Sequence, residues 1–246
     1  TMNFLKTPLY HTILISTALL LNACVPQVTP AAEPRAADFS PEIPEGFTYA
    51  DGSRPLTFPA DFGAHPDFRT EWWYYTGNLS TSDGRPFGFE LTVFRVGLVP
   101  PTVDLPDDSA WYGENLYFAH FALSDIAANE FHTYERYSRP GPGLAGAQAS
   151  PYRVWLEDWS IVETGKDSYR LQAAQDGFAI DLKLTDEMGV ILHGENGYSR
   201  KGQEVTNASY YYSQPRLRAE GTLRVQGETY QVSGLAWKDH EFSTGV

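Results

Sequence analysis

The sequence predicts an all-β protein, an antiparallel barrel or sandwich. Three observations predict it. Side-chain character alternates with period two through most of the chain beyond residue 58. Glycine-containing turns separate the alternating runs. No window carries a helical stripe. A strand sends successive side chains to opposite faces, so each alternating run offers one face to a core and one to solvent.

The elements follow in order. Leu9 to Leu21 is a mostly apolar run behind a single charge, Lys6. It is too short to span a bilayer and suits the apolar region of a signal peptide. It ends at Leu21-Asn22-Ala23-Cys24, a small residue before the one cysteine of the chain. Residues 1–24 therefore read as a lipoprotein signal, with Cys24 as the lipidated first residue. Val25 follows where an aspartate would favour inner-membrane retention. The expected place is the outer membrane, facing the periplasm. Residues 25–46 hold Pro26, Pro30, Pro34, Pro41 and Pro44 among alanines, a tether that stays extended. A lone cysteine forms no internal disulfide, so the exported fold stands on its core.

The strands come next. Glu71 to Leu79 and Phe87 to Val96 flank Ser82-Asp83-Gly84-Arg85, a hairpin signal. Phe87, Phe89, Leu91 and Val93 share one face of the second run. Leu116 to Leu123 alternates as well and puts Phe118 and His120 together. Further strands are expected over 153–162, 169–174, 178–184, 210–212, 216–225 and 229–237. Asp176-Gly177 and Gln226-Gly227 mark turns.

Charge limits the function. Without the leader, 17 basic residues stand against 31 acidic ones, a net of −14. Nucleic acid demands basic patches and is excluded as a partner. Familiar hydrolase patterns are absent too. Gly197-Tyr198-Ser199-Arg200 fails the nucleophile-elbow spacing, and His240-Glu241 is not followed by the second histidine of a zincin. One cysteine and widely spaced histidines predict no metal, and no cofactor motif is present.

Two aromatic clusters remain. Trp72-Trp73-Tyr74-Tyr75 follows His65, Asp67, Arg69 and Glu71, and Trp237-Lys238-Asp239-His240-Glu241-Phe242 lies near residue 246. Glu71 with Arg69 reads as a surface ion pair worth under ~1 kcal/mol. The rings read first as core.

The E-W-W-Y run, A-H-F-A-L-S-D at Ala119 to Asp125, S-Y-Y-Y-S at Ser209 to Ser213 and W-K-D-H-E-F at Trp237 to Phe242 occur in that order. Together they resemble the AttH/carotenoid 1,2-hydratase family of lipocalin-like proteins, from about Phe58 to the last residue. The resemblance implies a fold of tandem calycin barrels. Residues 47–233 would form the first, and 234–246 the start of a second, truncated one. It also implies a hydro-lyase, with Asp239 and His240 catalytic and Phe242 where the family has a tryptophan. Trp72, Trp73, Tyr74, His120, Tyr211, Trp237 and Phe242 would line a site for an apolar isoprenoid- or lipid-like molecule. Such chemistry protonates a C=C bond, stabilises the cation on ring faces and delivers water. It needs an acid that keeps its proton near neutrality, expected as a carboxyl in an apolar pocket. The alternative is a non-catalytic carrier for a hydrophobic molecule, working with an ABC-type envelope transporter.

Overall fold

The computed structural model describes residues 45–104, 113–204 and 206–245. The leader, Cys24 and nearly all of the tether lie outside them. Among the described residues, apart from one 3-10 turn at Ala60–Phe62, the regular structure is β. The strands are β1 (Thr70–Ser80), β2 (Pro86–Gly97), β3 (Asn115–Asp125), β4 (Glu130–Ser138), β5 (Ala145–Ala149), β6 (Tyr152–Leu156) and β7 (Trp159–Gly165). They continue with β8 (Ser168–Gln175), β9 (Phe178–Asp186), β10 (Ile191–Leu192), β11 (Tyr198–Arg200), β12 (Ala208–Val225) and β13 (Glu228–Ser243).

All pairings are antiparallel, in the order β4-β3-β2-β1-β13-β12-β9-β8-β7-β6-β5, with β10 and β11 on the side of β12. The sheet curls into a nearly closed barrel. Beyond the edge strand β4 the seam is bridged by side chains that reach β7, β8 and β9. Arg136 of β4 donates to the Ala174 carbonyl at 3.1 Å and to Gln175 at 2.7 Å, and lies 4.4 Å from the Trp159 ring centroid. His132 stacks on Phe178.

Alternation sets the faces as expected. Phe87, Phe89, Leu91 and Val93 are buried inside with Trp73, Tyr75, Phe121, Val154, Trp159, Leu171 and Leu182. The Asp176-Gly177 and Gln226-Gly227 turns have positive φ at both positions, the mirror-image hairpin geometry those pairs favour.

Four boundaries differ from the sequence expectation. Residues 153–162 are two strands, β6 and β7, because Glu157 adopts a positive φ and turns the chain. β4 and β5 were not expected. β4 is an edge strand with much of its side-chain surface exposed, and β5 is small residues, so neither shows a strong apolar alternation. The two runs at 210–212 and 216–225 belong to one strand, β12. Pro215 has no N–H to give the ladder, and a register shift between Gln214 and Leu217 absorbs it. Finally, β13 runs without a break through the expected boundary at 233/234. Its residues 234–243 pair with β1 on one side and β12 on the other, so this segment completes the described barrel.

Candidate active site at the charged end of the barrel

β1, β2, β12 and β13 run side by side, and at one end their inward residues are ionisable. Glu71 lies opposite Arg95 of β2 and Phe242 of β13, while Tyr212 of β12 lies opposite His240. Residues 45–69 fold over this end and bring in Asp61 and His65. A second apolar cluster of Ala50, Phe68, Ala208, Tyr210 and Phe242 seals it.

Glu71 is the hub and is 1% exposed. One oxygen meets His65 Nδ1 at 2.6 Å and His240 Nε2 at 2.8 Å. The other accepts from Arg95 Nε at 3.0 Å and from the His65 backbone N–H at 2.9 Å. Burial pushes its carboxyl up, but the His65 charge, the bonds from both histidines and the Arg95 charge outweigh this and hold it well below the usual range. Glu71 is therefore a carboxylate. Asp61 is one too: burial opposes ionisation, but His65, the Thr57 N–H and Arg54 bind its oxygens and hold it low.

The two histidines divide the protons. His65 bridges Glu71 and Asp61, the latter at 2.8 Å from Nε2. Burial disfavours its charge, yet the Glu71 carboxylate and the bonds to Asp61 and Glu71 raise its pKa above the ordinary value. Burial drives His240 down to about 4 against the pull of Glu71, so it is neutral near pH 7. Its Nε2–H donates to Glu71, and its Nδ1 accepts from the Tyr212 hydroxyl at 2.6 Å. Rings enclose the pair. His65 stacks on Phe242 at 3.6 Å, and Trp73 lies 4.9 Å from His240. Among the described residues, His65, Glu71 and His240 are the group whose donor atoms could converge on a metal ion. Their 2.6 and 2.8 Å separations are hydrogen-bond lengths, shorter than the ~3.3 Å between ligands around a tetrahedral zinc, so as they stand they share protons.

Deeper on the same face of β13 lies Lys238, fully buried, its Nζ without a hydrogen-bond partner. Five rings surround it: Phe62 at 4.6 Å, Tyr152 at 4.7 Å, Tyr212 at 5.5 Å, Tyr169 at 5.7 Å and Tyr75 at 5.8 Å. Burial lowers its pKa to about 7, against a weaker pull from Asp186.

The sequence-expected residues separate by face. Trp73, His240 and Phe242 come together inside. Asp239 does not join His240, because neighbours on a strand point apart. Asp239 faces outward and accepts from Tyr211 at 2.9 Å, from Trp237 at 2.7 Å and from Ser213. Trp72, Tyr74, His120, Tyr211 and Trp237 share that outer side. Trp72 meets Phe94, Phe94 stacks on Phe118 at 4.5 Å, and His120 pairs with Glu135 at 2.9 Å. None of the five lines the charged end. The surface pair of Glu71 with Arg69 is corrected as well. Glu71 points inward, where its neighbour across the ladder, Arg95, reaches it. Asp61, Arg95, Tyr212 and Lys238 were missed. Lys238 and Tyr212 were legible by parity, two residues from His240 and in register with it; Asp61 and Arg95 carried no local signal.

The AttH-like family model matches residues 49–246. An AttH protein of Nitrosomonas europaea has the same fold, with a TM-score of 0.72 and 38% identity over 81% of this chain and 59% of that one. Kievitone hydratase of Nectria haematococca shares the fold at a TM-score of 0.53 and 15% identity, over 80% of this chain and 55% of that one. This chain thus spans little more than half the length of either. Curated proteins gave no match. The matched span, beginning ahead of β1 and running through β13, shows that the chain belongs to the AttH-like family.

Proposed function

We propose that this barrel takes an apolar isoprenoid- or lipid-like molecule at its charged end and, in the whole protein, adds water across a C=C bond. One observation carries the reading. Two histidines share one buried carboxylate among ring faces, and His65 sets both its ring nitrogens on carboxylate oxygens, which can only accept, so it is the one that carries the extra proton. That is an acid and a base a few ångströms apart in a water-poor place. The acid differs from the carboxyl expected from sequence, since both buried carboxyls are ionised and His65 holds the proton. His65 would give its proton to one alkene carbon. Trp73 and Phe242 would stabilise the cation on the other, each worth about 1–2 kcal/mol when dry. His240 would take a proton from the incoming water at Nδ1, once the Tyr212 hydroxyl turns from it to the Asp61 carbonyl 3.0 Å away. A family fold shared with a hydratase supports this. Lipid anchorage at Cys24 to the outer membrane belongs to the same proposal and rests on the leader sequence, whereas an ABC-type transporter would be the partner of the alternative carrier.

The test uses the full-length protein, an acyclic isoprenoid and ¹⁸O water. Wild type should yield a labelled alcohol. His240→Ala should abolish label while isoprenoid affinity stays within about threefold, because the ring places water rather than hydrocarbon. Tight binding with no labelled product in wild type would instead identify a carrier.

A further inference from the structure

Lys238 plays no part in the hydration chemistry, and its surroundings are unusual for a cation. An ammonium carries three N–H donors, and none has an acceptor here. Across the ladder Lys238 is paired with Gln214, also buried. Gln214 spends its amide N–H groups on Asp186 at 2.5 Å and Tyr169 at 3.2 Å. The Asp186 carboxylate accepts only, so this fixes which way the amide points. Gln214 Oε1 is left without a donor. The interior thus holds an orphan acceptor and an orphan nitrogen on residues paired across the ladder, the nitrogen inside a box of rings.

A protonated imine fits that count. It has one N–H, matching the single free oxygen of Gln214. It is also a weakly hydrated cation, so ring faces replace its water at less cost than they replace the shell of an ammonium. We propose that Lys238 is a carbonyl-capturing amine that forms a Schiff base with an apolar aldehyde. The Nζ lone pair attacks the carbonyl carbon and gives a carbinolamine. The former carbonyl oxygen then takes a second proton from a neighbouring tyrosine hydroxyl and leaves as water, and the tyrosinate left behind stays as the counter-ion of the cationic imine. The C=N⁺–H that remains donates to Gln214. Tyr75 and Tyr152, linked at 2.9 Å, and Tyr169 are the hydroxyls at hand, and burial keeps all three protonated. Burial also leaves much of the lysine as free amine near pH 7, which the attack requires.

Access would run past Phe62 and the Phe58 ring that packs on it at 4.9 Å. Phe62, the nearest ring to Nζ, is only partly buried and sits on the short 3-10 turn. Moving these two rings uncovers the amine without parting any two strands.

The experiment incubates the full chain with cinnamaldehyde and cyanoborohydride at pH 7, then maps the reduced secondary amines by peptide mass spectrometry. Lys238 should label at least ten times faster than the exposed Lys183. Phe62→Ala should speed it further. Lys238→Met should remove that adduct and leave labelling of Lys166, Lys183 and Lys201 unchanged. Gln214→Leu should cut the Lys238 adduct about tenfold while the other lysines label as before. Preferential labelling of Lys238 in either wild type or Phe62→Ala supports the assignment. Labelling no faster than Lys183 in both proteins overturns it. A chain that labels at Lys238 yet makes no alcohol from an isoprenoid would refute the hydration reading alone.

Discussion

The two faces of β13 carry the same kinds of side chain in different solvents. Inside are Lys238, His240 and Phe242; outside are Trp237, Asp239 and Glu241. Outer polar groups nearer water find partners by ordinary hydrogen bonds, as the half-buried Asp239 does with three donors. Inner groups have no water to fall back on. Their protonation states are set by one another, and where the count of donors and acceptors fails, as at Lys238, the mismatch persists. One strand thus holds a conventional surface and a strained interior only one residue apart. The difference in burial, rather than in residue type, sets how far each group departs from its ordinary chemistry.

Substitutions can break that contrast. The largest effect is expected at the hub. Glu71→Ala leaves Arg95 and His65 buried without their carboxylate and should cost about 4 kcal/mol in chemical denaturation. A loss below ~1 kcal/mol would mean that water already reaches the cluster. Lys238→Met should do the opposite and stabilise the chain by about 2 kcal/mol at pH 7, because it removes a buried cation from an apolar box. The pH dependence carries the sign. The lysine is held near 7 in the fold and sits at 10.5 when unfolded, so between those values the unfolded chain binds the extra proton. Wild-type stability should rise with pH across that window, and the rise should vanish in Lys238→Met. His65 has the opposite sign. Its raised value contributes stability in full below pH 6.5, and that contribution is lost as pH climbs through the folded value. The methionine variant should therefore expose a shallow decline above pH 6.5.

The outer face should respond less. Asp239→Ala removes the acceptor of three bonds where water can replace it, and should cost about 1 kcal/mol. Trp72→Ala breaks one tilted contact with Phe94 on a half-open surface and should cost about 0.5 kcal/mol in thermal melts. Its neighbour Trp73 is fully buried, donates to the Phe62 carbonyl at 3.0 Å and packs on His240. Its removal would bring the outer face's small number back into the range of the hub.

Much of the fold was legible, because period two is a local property. Phe87 through Val93 announced their face without reference to any partner, and Gln226-Gly227 announced its turn. Strands whose pattern depends on position in the sheet were not legible. β4 shows a half-polar sequence because it is an edge, and β12 hides its continuity behind Pro215. The site followed the same rule. His240, Phe242 and Trp73 were recognisable from motif and parity. Asp61 and Arg95 enter from 10 and 24 residues away from Glu71, over loops and across a ladder. Asp239 was misplaced by treating adjacency in the motif as adjacency in space, which a strand forbids.

The seam beyond β4 bears on how such a barrel breathes. Every other junction in the main order is a backbone ladder, and opening one would strip a row of amides at once. At the seam, His132 stacks on Phe178, and Arg136 reaches across to the Ala174 carbonyl, the Gln175 amide oxygen and two acidic side chains and rests on Trp159. These are contacts of a long, flexible, partly solvated side chain, each worth about 1 kcal/mol or less. Along this line the barrel is therefore fastened by side chains rather than by a row of amides. Releasing these few side chains would let the wall part there while the hydrogen-bonded frame stays whole.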